Sequence, residues 1–165
     1  MRKQQKGFSL IELLIVVAII LIIAAIAIPN LMRARMSANE ASAVGSTRSI
    51  NTAEISYNAA YSNLGFTTTL AQLGGAAGAA CVPGTGTGCF IDSSLSSGTK
   101  SGYTFTMALG AAGAGVPLND YSVSAKPTVL NQSGTRYFCS FEDAVVRSST
   151  AATPAPCDAT ATALQ

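Results

Sequence analysis

One carboxylate stands at the edge of a stretch otherwise suited to hydrocarbon. Lys6-Gly7-Phe8-Ser9-Leu10-Ile11-Glu12 runs into sixteen unbroken apolar residues, Leu13 to Ile28. An ionisable group near the centre of a membrane span costs about 2.5–3.5 kcal/mol on insertion scales, so its presence points to a function. The chemistry open to Glu12 is ion pairing: at low dielectric a carboxylate and an ammonium attract strongly, and each is costly alone. The plain alternative is a carboxylate that snorkels to the membrane interface.

Other chemistries lack their parts. The chain has no histidine, which removes His-based triads, pH switches and histidine metal sites. Its many serines have no base partner and no G-x-S-x-G elbow. Asp92, Asp120, Glu142, Asp143 and Asp158 form no D-x-[DN]-x-[DN]-G calcium loop, and read as solvated surface carboxylates. The Gly/Ala tracts at 74–80 and 110–115 are not followed by Gly-Lys-Ser/Thr, so they cradle no phosphate. Tyr57, Tyr61, Tyr103 and Phe105 sit at helical and strand spacing, where aromatics pack cores. No catalytic residue, cofactor or metal is expected, and the chain reads as a non-enzyme.

Three of the ten basic residues (Arg2, Lys3, Lys6) precede Gly7. Without them, seven basic residues face eight acidic ones, and no basic patch points to nucleic acid. Four cysteines, Cys81, Cys89, Cys139 and Cys157, all follow the apolar run. An even count in an exported domain reads as disulfides, with three possible connectivities. Zinc is disfavoured because the gaps lack C-x₂₋₄-C knuckles. The segment Cys81-Val-Pro-Gly-Thr-Gly-Thr-Gly-Cys89 reads as a small loop closed by its own disulfide, leaving Cys139–Cys157 to staple the tail.

These groups need elements to hold them. Residues 8–29 are long enough, as a helix rising 1.5 Å per residue, to cross a hydrocarbon core of about 30 Å. In lipid the backbone must satisfy its own hydrogen bonds, so a helix is expected although nine of the sixteen residues from Leu13 are Ile or Val. The leading basic residues hold the N-terminus in the cytoplasm. An ordinary secretory signal, cut near Ala25-Ile26-Ala27, is the competing reading. Against it stand the length of the run, the presence of Glu12, and a helical pattern that resumes after Pro29. Pro29 itself removes one helix hydrogen bond, predicting a kink or local melting over 25–30.

Residues 30–61 continue the helix. Met32, Met36, Ala43, Ile50, Tyr57 and Tyr61 recur at spacings of four and seven, a narrow apolar stripe suited to packing on a sheet. Asn39-Glu40, Ser46-Thr47 and Asn51-Thr52 alternate with that stripe. Residues 62–165 form a head. It begins with a loop-rich stretch, and 69–73 before Gly74-Gly75 reads as a short capped helical turn. Alternating patterns at 103–109 and 121–125, and candidates at 136–141 and 144–147, read as strands, with Asn131-Gln132-Ser133-Gly134 as one connection. Short links favour an antiparallel meander covered on one face by the helix. Residues 148–165 are Ala/Thr/Pro-rich and wander unless tethered. The fold class is α+β: a long N-terminal helix with a protruding apolar half, packed on a small antiparallel sheet.

Basic residues, a Gly-Phe junction, an acid four residues after the Phe and an apolar span resemble the start of a type IV prepilin. The resemblance covers Lys6 to about Met32; beyond that only the layout agrees. It implies a leader of residues 1–7, cleavage between Gly7 and Phe8 by a prepilin peptidase, and N-methylation of Phe8. It implies that Glu12 pairs with the Phe8 amine of a neighbouring subunit and sets register. Pro29 matches the family proline, where the helix can melt in a filament, but Leu21 stands where many relatives carry a glycine. The implied function is a pilus subunit, inserted in the bacterial inner membrane and extracted into a helical homopolymer on the cell surface. An assembly ATPase and a platform protein are the implied indirect partners. Two alternatives remain at this level: a pseudopilin of a type II secretion system, and a singly anchored periplasmic binding domain.

Overall fold

A computed structural model describes residues 8–75, 80–84, 86–109, 117–150 and 161–164. The chain divides into two compact units, residues 1–35 and 36–165. Helix α1, Leu10–Ala60, contributes to both.

In the first unit the helix is apolar and bare. Leu10, Ile19, Leu21, Ile26 and Leu31 are all exposed. By length and composition the helix is able to cross a membrane. Pro29 lies inside α1, and the helical assignment runs through it without a break.

The second unit is α+β. Two short helices, α2 (Leu70–Gly74) and α3 (Ser93–Ser96), precede six strands: β1 Thr99–Lys100, β2 Tyr103–Leu109, β3 Tyr121–Pro127, β4 Tyr137–Phe141, β5 Arg147–Ser149 and β6 Thr162–Ala163. They form one antiparallel sheet in chain order, β1 to β6. The period of two puts Tyr103 and Phe105 of β2, Tyr121, Val123 and Ala125 of β3 and Phe138 of β4 on the buried face. Thr106 and Ser124, opposite each other in register, bond at 2.6 Å on the outer face. Ile50 and Tyr57 of α1, Leu73 of α2 and Leu95 of α3 complete the core.

Local chemistry accounts for the connections. Gln72 Oε1 accepts from the Thr68 N–H at 2.9 Å and the Thr69 N–H at 3.2 Å, capping α2 as its sequence predicts. Asp92 accepts from the Leu95 N–H at 2.7 Å and caps α3. Asn131 takes a positive φ of 63° in the β3–β4 turn. Gly134 closes that turn where a Cβ would lie 2.0 Å from the Tyr103 hydroxyl. Cys81 is bonded to Cys89, as the loop between them implied. Cys139 is not a free thiol, but the expected Cys139–Cys157 bridge involves Cys157, outside the described residues.

Two expectations, the start of one strand and the reach of the α1 stripe, need correcting. The strand expected at 144–147 is β5 and begins at Arg147: Ala144 takes φ 57°, and the Asp143 carboxylate accepts from the Val145 N–H at 3.0 Å and from Arg147, making a turn. The tail is tied to the sheet at its far end, with Ser148 opposite Thr162 and the Leu164 N–H donating to Val146 O at 2.8 Å. The packing stripe of α1 does not reach Met32, which is exposed, and members of the polar pairs that alternate with it (Glu40, Ser46, Thr47, Asn51), together with Glu54, are buried.

Candidate assembly segment and buried carboxylates

Glu12 is exposed in the single chain, and its Oε2 accepts from the Ser9 N–H at 2.9 Å. With α1 starting at Leu10, Ser9 is the residue before the helix and Glu12 the third within it. That is the back-bonding half of a capping box, in which the acid satisfies an otherwise orphaned amide. The sequence carries the signal, Ser-x-x-Glu ahead of an apolar run, and the reading of Glu12 as a pairing group alone missed it. Negative charge at a helix N-terminus is also favoured by the helix dipole. Phe8, next to this cap, is 90% exposed. Gly7 lies outside the described residues.

The second unit holds two further carboxylates, Glu40 and Glu54, to which the sequence reading assigned no role. Glu40 Oε1 accepts from the Thr135 N–H at 2.8 Å, the Thr135 hydroxyl at 2.9 Å and the Arg136 N–H at 3.2 Å, and its Oε2 pairs with Arg136 Nε at 2.8 Å. Burial alone would raise its pKa, but the bonds from Thr135 and Arg136 outweigh that and hold the carboxyl below its ordinary value. Asn39 donates to Ser133 O at 3.0 Å beside it. This cluster fastens α1 to the β3–β4 turn.

Glu54 is fully buried. Its Oε2 accepts from the Thr67 N–H at 2.9 Å, and its Oε1 bonds the Thr67 hydroxyl. With no cation bonded to it among the described residues, burial pushes this carboxyl up to about 7 despite the Thr67 bonds. Between the two acids, Asn51 donates to Ser140 Oγ at 2.8 Å and to Ala144 O at 3.1 Å. The helix thus carries a series of polar anchors, each matched to a donor or acceptor on the sheet or its loops.

Of the sequence-derived site residues, Phe8 and Glu12 lie together at the start of α1 and Pro29 within it. Tyr57, Tyr103 and Phe105 are core, and Tyr61 packs partly buried against it, its ring 4.7 Å from that of Tyr57. Among the described residues no group of acids and cysteines is arranged to hold a metal ion.

Residues 2–28 match the family model of the prokaryotic N-terminal methylation motif. The chain is 63% identical over 38 residues to the type IV wide pilus major component PilA4 of Thermus thermophilus, a stretch that is 23% of this chain and 29% of that relative. The chain therefore spans, in matched sequence, less than a third of that protein's length. No solved structure matches. The methylation motif, the similarity at the N-terminus and an apolar helix followed by an antiparallel sheet together support a type IV pilin.

Proposed function

We propose that the chain is a structural subunit of a type IV pilus filament. The observation that carries this is the bare apolar helix of the first unit, with one acid near its start. Apolar surface is worth about 25 cal/mol per Å² when removed from water, so such a helix is stable only in lipid or against other apolar surface. Copies of the same helix supply that surface, and a repeated head-to-tail contact that does not close gives a fibre.

In this reading a prepilin peptidase cuts between Gly7 and Phe8, and the new Phe8 amine is methylated. The precursor waits in the inner membrane with its head outside, and an assembly ATPase and platform protein drive extraction, since the chain holds no nucleotide motif. Glu12 then pairs with the Phe8 ammonium of a neighbour. A carboxylate offers about four acceptor positions, so the Ser9 N–H and the incoming amine are accommodated together. The cap orients the carboxylate, and the amine neutralises it.

Mass spectrometry of the mature N-terminus tests the processing. A chain beginning at N-methylated Phe8, recovered in long extracellular filaments, supports the proposal. An intact Met1, or a start at Ile28, would overturn it.

A further inference from the structure

The segment between α1 and α2 is fastened on two sides. The Phe66 N–H donates to Leu118 O and the Leu118 N–H to Leu64 O, both at 2.9 Å, so the segment lies against the lead-in to β3. Gly65 permits this approach, because a Cβ there would lie 2.1 Å from Leu118 O. The Phe66 ring stacks at 4.8 Å on Tyr121. On the other side Thr67 is attached to α1 through the Glu54 side chain.

That attachment has an unusual hydrogen count. The Thr67 hydroxyl faces three acceptors: Glu54 Oε1, Thr69 O at 3.4 Å, which also accepts from the Gln72 N–H at 3.1 Å, and the weakly accepting Met107 sulfur at 3.9 Å. A hydroxyl has one proton to donate. With Glu54 ionised it serves one acceptor, and the carboxylate keeps its full charge in the core. With Glu54 protonated on Oε1, the acid donates to Thr67 Oγ1, Thr67 donates onward to Thr69 O, and Oε2 still accepts from the Thr67 N–H. Each polar hydrogen in the chain of bonds then has an acceptor, and no net charge is left in the core.

We propose that Glu54 and Thr67 form a proton-dependent clip that holds the 61–69 segment on α1 and loosens when the proton leaves. The surroundings favour the closed, protonated form. Tyr57 on α1 and Tyr121 on β3 are the titratable groups that face Glu54, and both are pushed up and stay neutral. Glu142 and Asp143, near Tyr121, add negative charge, and that of Asp143 is paired with Arg147. Met107 on β2, its sulfur 3.9 Å from Thr67 Oγ1, does not titrate. The direction is definite: an acid whose proton is held more tightly in the folded state stabilises that state at low pH. The contribution is lost as pH climbs from the ordinary value of 4.5 through about 7.

The full chain in detergent provides the test, through denaturant unfolding between about pH 5 and about pH 8. The folding equilibrium constant should fall by up to about tenfold per pH unit over the lower part of that range, the limit for one linked proton. Glu54→Gln should remove that slope and match or exceed the parent at the alkaline end. Amide exchange at Thr67, corrected for its intrinsic rate, should quicken with pH in the parent and not in the variant. An unchanged slope in Glu54→Gln overturns the proposal. Should that variant fail to fold, infrared difference spectra of the parent decide: loss of one protonated-carboxyl band on raising the pH supports the clip, and absence of that band at acid pH overturns it. None of these readouts depends on filament formation.

Discussion

The two stretches of α1 reverse the usual distribution of polarity. In the first unit, Leu and Ile side chains from Leu10 to Leu31 are exposed. In the second, the same helix buries two glutamates, an asparagine, a serine and a threonine. Apolar residues are left bare where their partner must come from outside the chain. Polar residues are buried where the chain itself supplies the matching donor or acceptor, as Thr135 and Arg136 do for Glu40 and Thr67 does for Glu54. On the proposed function the exposed stretch serves assembly and the buried one the stability of the head, and single substitutions should separate the two.

The largest expected effect is on assembly. Glu12→Leu removes the proposed partner of the neighbouring amine, and filament yield should fall at least about tenfold, the equivalent of ~1.4 kcal/mol per contact. Monomer levels in the membrane should persist, as immunoblotting of fractionated cells would show. Filaments at normal abundance and with unchanged helical symmetry would break the assignment.

A matched pair sharpens the comparison. Ile50→Ala, at a position with no exposure, should lower the unfolding free energy of the full chain in detergent by about 2–5 kcal/mol. Ile19→Ala, 53% exposed, should shift it by less than ~0.5 kcal/mol while weakening filaments. Equal losses of monomer stability would mean that the first unit is not waiting for an external partner.

Glu40→Ala strands the Thr135 N–H and the Arg136 guanidinium, for an expected loss of about 1–3 kcal/mol at neutral pH. Because the Glu40 carboxyl is held below its ordinary value, its contribution is present above that value and lost as pH falls through the depressed one. The parent-to-variant difference should therefore shrink on acidification. Glu54 has the opposite sign, so the two acids on one helix pull stability in opposite directions with pH.

Replacing Cys81 and Cys89 together by serine opens a loop of eight residues' separation. The chain-entropy model gives a loss of about 2–3 kcal/mol, comparable to the Glu40 cluster. Local proteolysis at 80–89 should rise before global unfolding, since the Gly88 and Phe90 N–H groups still donate to Gln72 and Leu73 O at 2.7 and 2.6 Å.

Much of this molecule was legible before its structure. The apolar run, its flanking charges and Glu12 mark the proposed assembly segment, because hydrophobic length and an isolated acid are properties of consecutive residues. The alternation at 103–109 and 121–125 and the Cys81–Cys89 loop are likewise local signals. Ser9 as the capping partner of Glu12 was equally local and was overlooked, since the acid was read for its charge and not for its place in the helix.

The buried polar side of α1 was decided only by the tertiary structure. Glu40 and Glu54 look like solvent-facing acids in a helical pattern, and nothing near them in sequence says otherwise. Their donors are 95 and 13 residues away. A carboxylate is stable inside a protein only if distant backbone amides and hydroxyls arrive with the right geometry, and that meeting is a product of the folded sheet and its loops. Hydrophobic length can be read along the chain; satisfaction of a buried charge is a property of the chain brought back upon itself.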